Sequence, residues 1–160
     1  MNAAHLHIIL VHLPIVLIPT GAIILTLSLL RRSSAGASIA LLLLVCSAVL
    51  AVPPFLLGEG AEEIVEDLPG ISEDVIEEHE EAADIAFWLT IATGLLGAGS
   101  LAARRLGKPT SKSLALATVV VSYAASASLL YAAHQGGKIR HPEAYTSDSK
   151  KTLEVDEAHH

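Results

Sequence analysis

LHIILVHLPIVLIPTGAIILTLSLL, residues 6–30, runs without a lysine, arginine, aspartate or glutamate and then meets Arg31-Arg32. An α-helix rises about 1.5 Å per residue and the bilayer hydrocarbon is about 30 Å thick, so about 20 apolar residues cross it. This one stretch therefore reads as a transmembrane helix, and three others match it. Ala35–Leu57 ends before Gly58-Glu59, Ile85–Ala103 ends at Arg104-Arg105, and Leu114–Ala133 is followed by His134 and the breaker pair Gly136-Gly137. No span contains a charged residue. The links 31–34 and 104–113 are short, so successive spans are antiparallel, and the expected fold is all-α: an integral membrane four-helix bundle.

Composition agrees. Only 17% of residues are charged and 52% are hydrophobic, with mean hydropathy +0.54. A soluble chain carries roughly 25% charged residues to cover its core, and the deficit makes lipid the solvent. A cleaved signal peptide is the rival reading of the first span. The leader Met1-Asn2-Ala3-Ala4 carries no positive side chain and the apolar run exceeds an ordinary signal core, which favours a retained helix. Cys46 has no second cysteine to pair with and reads as a small packing residue.

Charge distribution orients the chain. Arg31, Arg32, Arg104, Arg105, Lys108 and Lys112 occupy the first and third links, which hold no acid. The positive-inside tendency makes those links cytoplasmic, with both termini and the second link outside, as expected in a bacterial inner membrane. Every Asp and Glu then lies on the outer side. Residues 59–81 interleave acids with Ile64, Val65, Leu68, Val75 and Ile76, and Pro69-Gly70 marks a turn before a Ser72 cap. An acidic helical hairpin extending spans two and three is expected there. Residues 1–143 form the transmembrane domain and 144–160 a polar tail, in which His159-His160 is either native or an expression remnant.

The histidines carry the functional reading. His5, His12, His79 and His134 map to the outer end of the four helices, beside Glu59, Glu62 and Glu63 at the end of span two. His5 and His12 are seven residues apart and share a helix stripe, His12 about 10 Å deeper, whereas His7 projects from the opposite side. From His79 the same stripe runs through Ala83, Ala86, Thr90 and Gly97, a face without bulky side chains; in span four, Tyr123, Ala127 and His134 share another, with Tyr131 beside it. An ionisable group within the hydrocarbon, as His12 is, ordinarily faces the bundle interior with a partner. Neutral imidazole is a common metal and haem ligand. The bland alternative is a hydrogen bond from His12 to a carbonyl freed by Pro14 or Pro19.

Two functional classes follow. In the first, His12 and His79, with His5 or His134 as substitutes, ligate a b-type haem for electron transfer; the greater depth of His12 counts against that pair unless Pro14 kinks the helix. In the second, His5, His12, Glu59, Glu63, His79, Glu80 and His134 supply a non-haem site for Zn, Fe, Mn or Cu(II). The Glu-x-x-His spacing of di-iron bundles is missing at His79, because position 76 is Ile. A third class is a structural or partner subunit with an acidic lid, acting in a homodimer or a larger membrane complex. There is no nucleophile motif, phosphate-binding glycine loop or basic nucleic-acid surface, so an electron-transfer or metal-binding protein is expected rather than an enzyme.

Val11-His12-Leu13-Pro14-Ile15, preceded by His5-Leu6-His7, resembles the first helix of a bacterial predicted membrane protein family catalogued as domain of unknown function 2231. The resemblance takes in His79 and Gly136-Gly137 and covers about residues 5–143. It implies four membrane helices and singles out His12 and His79, without deciding the ligand. The long acidic hairpin and Ile139-Arg140-His141-Pro142-Glu143 depart from the family at large and resemble one branch of it.

Overall fold

The computed structural model describes residues 2–66, 71 and 73–141. Its elements are α1 (Ala3–Leu30), α2 (Ser34–Leu56), α3 (Gly58–Val65), α4 (Glu73–Arg105) and α5 (Ser111–Arg140). Leu57, with φ −89° and ψ −6°, joins α3 onto α2, so the two run as one rod from Ser34 to Val65. Four helices are thus long and apolar enough to cross a bilayer. They pack as a closed ring in the order α1, α2, α4, α5.

Local chemistry sets the helix ends. Asn2 caps α1 by accepting from the His5 amide at 3.0 Å. At the other end, Arg32 takes φ +54°, Ser33 N–H donates to the Ser28 carbonyl at 2.8 Å, and Arg32 N–H donates to Leu29 at 3.1 Å. That pair of bonds is a Schellman stop. It recurs after α4, where Gly107 takes φ +63°, Lys108 bonds Ala103 and Gly107 bonds Arg104. Both short links are therefore tight reversals, and each begins at a pair of arginines. Gly136 and Gly137 do not end α5 as expected; the helix passes through them to Arg140.

The interior is small and the exterior large, the reverse of a soluble domain. Fully buried positions include Ser47, Thr90, Thr93, Ser100, Thr118 and Ser122 beside Ile18, Leu25, Leu41 and Leu44. Ile9, Val16, Leu30, Ile39, Val49, Leu95 and Val120 are exposed. Lipid solvates such a surface as well as a core would, so close packing rather than hydrophobic burial holds the helices together. Gly94 shows how close: a Cβ there would collide with the Ala48 side chain across the α2–α4 seam.

The described residues therefore form an acidic end, with α3, the first turns of α4 and the start of α1, and a basic end with the two short links. The Pro69-Gly70 turn, the Ser72 cap, the tail 144–160 and His159-His160 lie outside the described residues.

Candidate functional site at the acidic end

Two imidazoles meet between α1 and α4. His7 Nδ1 lies 2.8 Å from the Pro54 carbonyl of α2, and His79 Nδ1 lies 3.0 Å from the Ala132 carbonyl of α5. Their ring centroids are 6.5 Å apart with planes at 80°. A carbonyl only accepts, so each Nδ1 carries the proton, and in the neutral ring Nε2 holds the lone pair. All four helices contribute to this arrangement: two supply rings and two supply the carbonyls that orient them.

His79 sits on Gly136. A Cβ at that position would lie 3.0 Å from His79 Cε1 and 3.3 Å from Nδ1. The approach of the ring, not the backbone conformation, favours glycine there. His79 precedes the apolar span that begins at Ile85, and burial pushes its pKa below the ordinary histidine value, the Ala132 carbonyl opposing and His7 reinforcing the shift. Beside it, Gln135 is 2% exposed. Its Nε2 donates to Glu78 Oε2 at 2.9 Å and to the Tyr131 hydroxyl at 3.0 Å, and Lys138 Nζ lies 3.5 Å from the same Glu78 oxygen. Gln135 Oε1 is buried with no hydrogen-bond partner.

The expected belt of histidines and carboxylates does not assemble. Among the described residues no three His, Cys, Asp or Glu side chains form a group that could hold a metal ion. His12 faces outward, with Nδ1 2.6 Å from the Ile8 carbonyl of its own helix. That carbonyl is not one freed by proline, since Pro14 and Pro19 release the acceptors four residues earlier, Leu10 and Ile15. His5, Glu59, Glu63, Glu80 and His134 are exposed. Glu80 instead hydrogen-bonds Glu62, and that shared proton raises the Glu62 pKa.

The phase expected for α1 is thereby reversed: His7 turns inward and His5 and His12 turn outward. The buried stripe of α1 contains Pro14, Ile18, Gly21, Leu25 and Ser28. Its members at 14, 21 and 28 recur every seven residues and lead back to His7. For α4 the expected stripe holds, since Ala86, Thr90 and Gly97 below His79 are buried. For α5 it does not: Tyr123, Ala127, Tyr131 and His134 are exposed, and Ala125, Ala132 and Gln135 face in. His7, Gln135 and the seat at Gly136 are the residues that the sequence reading missed.

The family model described as predicted membrane protein (DUF2231) matches residues 3–144, and the chain belongs to that family. No curated protein and no solved structure matches it.

Proposed function

We propose that this member of the DUF2231 family holds a b-type haem between His7 and His79 and passes electrons at the acidic end of the bundle. The observation that carries the reading is the pair of imidazoles on facing helices, each with Nδ1 tied to a backbone carbonyl. That bond is the usual outer contact of a metal-bound histidine: it selects the tautomer, aims the ring and raises its basicity. The ring centroids lie 6.5 Å apart, close enough for both imidazoles to hold one bound group.

Ligand count points the same way. A structural non-haem site takes four protein ligands and a catalytic one three. A haem would ask the protein for only one or two ligands. Two histidines, with no third His, Cys, Asp or Glu grouped beside them among the described residues, match that demand. Level supports it too. His7 stands 24 residues above Arg31 and His79 stands 25 above Arg104, about 36 and 38 Å at helical rise. His12, 19 residues above Arg31, is about 28 Å up and so about a turn and a half too deep to pair with His79.

When bound, haem supplies reversible one-electron chemistry. The chain's residues position it: Pro54 and Ala132 hold the two rings, Gly136 admits the His79 ring, and burial keeps that ring neutral and able to ligate. We place the acidic end outside the cytoplasmic membrane, because the six cations of the two short links favour the inner face. At about 36 Å from the basic end the site lies in the outer headgroup layer, within reach of a redox partner on that side.

The test is the visible spectrum of the detergent-purified protein, oxidised and dithionite-reduced, with haem and metal analysis on the same sample. A Soret band with sharp reduced α and β bands is expected, lost in His7→Ala and in His79→Ala and kept in His12→Ala. A sample that stays colourless after haem reconstitution refutes the haem reading, and stoichiometric metal in it would revive the non-haem one.

A further inference from the structure

At the opposite end of the molecule, Ser38, Ile39 and Leu42 of α2 and Leu101, Arg104 and Arg105 of α4 line a cleft of about 330 Å³. It is apolar below and cationic above. Ile39 and Leu42 are exposed and stand about 7 and 12 Å deeper along α2 than Ser34, which puts them at acyl-chain level. Arg104 donates from Nη2 to the Ser34 carbonyl and to the Ser34 hydroxyl, 2.9 Å each. Those two bonds fix the guanidinium across the α2–α4 seam and use one of its nitrogens. Nε and Nη1 keep their donors for another acceptor. Arg105 is exposed on the next position.

Charge balance says what that acceptor is. Every carboxylate of the chain lies in residues 59–84 or after residue 142. Asp84 is 20 residues from Arg104 on the same helix, about 30 Å away at the other end of the span. Among the described residues the arginines of the basic end meet no carboxylate, and a counter-charge from outside the bundle suits them.

We infer that this cleft binds one anionic glycerophospholipid, its phosphate on Arg104 and Arg105 and its acyl chains along Ile39, Leu42 and Leu101. Planar guanidinium groups suit bidentate phosphate contacts, and basic clefts between membrane helices are recognised sites for acidic headgroups. The cleft volume admits the phosphate and glycerol while the tails run out along the exposed helix faces. The N-terminus of α2, whose first amides point toward the basic end, adds a partial positive charge of its own. Nothing in this inference depends on the site at His7 and His79.

Native mass spectrometry of the full chain in detergent, titrated with phosphatidylglycerol, tests it. One retained lipid per chain is expected, with phosphatidylcholine about tenfold weaker. Arg105→Gln and the pair Arg104→Gln/Arg105→Gln should weaken retention about fivefold and more than tenfold. Because Arg104 also ties α4 to α2, Leu42→Trp is measured beside them; it fills the cleft, keeps every cation, and should lower retention about as far. Arg31→Gln/Arg32→Gln removes equal charge at the same level and should change it less than threefold. Equal losses from the 31/32 and 104/105 pairs, no loss in Leu42→Trp, or equal retention of phosphatidylcholine would each overturn the inference. Displacement of the lipid by millimolar inorganic phosphate would overturn it as well, since the recognised group would then be the free anion.

Discussion

Replacing Gly136 by alanine sets two effects of opposite sign against each other. Alanine in a helix interior is favoured over glycine by about 0.5–1 kcal/mol, so on propensity alone the change stabilises α5. Against it stands the His79 ring, which the new methyl would approach to 3.0 Å at Cε1 and 3.3 Å at Nδ1. A contact that short is tighter than side chains normally make, so the ring must give by a few tenths of an ångström. Its Nδ1 lies 3.0 Å from the Ala132 carbonyl, and such a shift weakens that bond. Overpacking costs about 1–3 kcal/mol, so the tight seat outweighs propensity and a net loss of up to about 2 kcal/mol is expected. Far-UV circular dichroism of the detergent-solubilised protein during denaturant titration measures it. In a His79→Ala background the same substitution should turn stabilising by about 0.5–1 kcal/mol, because only propensity remains. A Gly136→Ala variant that is more stable than the parent with His79 present would refute the tight seat.

Four further outcomes are expected. Haem retention and the reduced α band should disappear in His7→Ala and persist in His12→Ala, read from the visible spectrum. Arg32→Gly should stabilise by about 1 kcal/mol by relieving the left-handed φ of +54°, and an unchanged unfolding midpoint would show that the turn is not strained. Glu62 has a pKa raised by its bond with Glu80, so the protonated pair favours the folded chain below the ordinary carboxylate range. That contribution is lost as pH rises through the raised value; melting temperature should fall across that window, and Glu62→Gln, a permanent donor, should flatten the profile. Gln135→Leu should destabilise by about 1–2 kcal/mol, since the bonds lost to Glu78 and Tyr131 are only partly offset by removal of the unpaired Oε1, and a loss above about 4 kcal/mol would mean that Oε1 has a bound donor.

Span number, span ends and the antiparallel links were legible because each rests on a count that lipid enforces: enough apolar residues to cross, and charge only outside them. Arg31-Arg32 and Arg104-Arg105 close their spans where expected, and the helices run through Pro14, Pro19 and Pro53-Pro54 as membrane helices do. The end of α5 was misread because glycine is a stop signal in a soluble helix. Here Gly136 serves packing, and the neighbouring ring is invisible from α5 alone.

The site was only half legible, for a related reason. A soluble helix announces its buried face through alternating apolar and polar positions, but residues 6–30 are apolar all round and hold no such contrast. Assigning the interior from His12 used the cost of an imidazole in hydrocarbon, and that cost is lowered here by a bond to the Ile8 carbonyl of the same helix. The informative contrast in a membrane helix is size, because packing replaces hydrophobic burial. Gly21, Ala22 and Ser28 are small members of α1's buried face, and a step of seven along the row Ser28, Gly21, Pro14 reaches His7. On α4 the same rule had already worked, since Ala83, Ala86, Thr90 and Gly97 are small and lead up to His79. Applied to both helices, residue size turns the His7 side of α1 toward His79; it would not have shown the Pro54 and Ala132 carbonyls, which belong to the two helices that supply no ring.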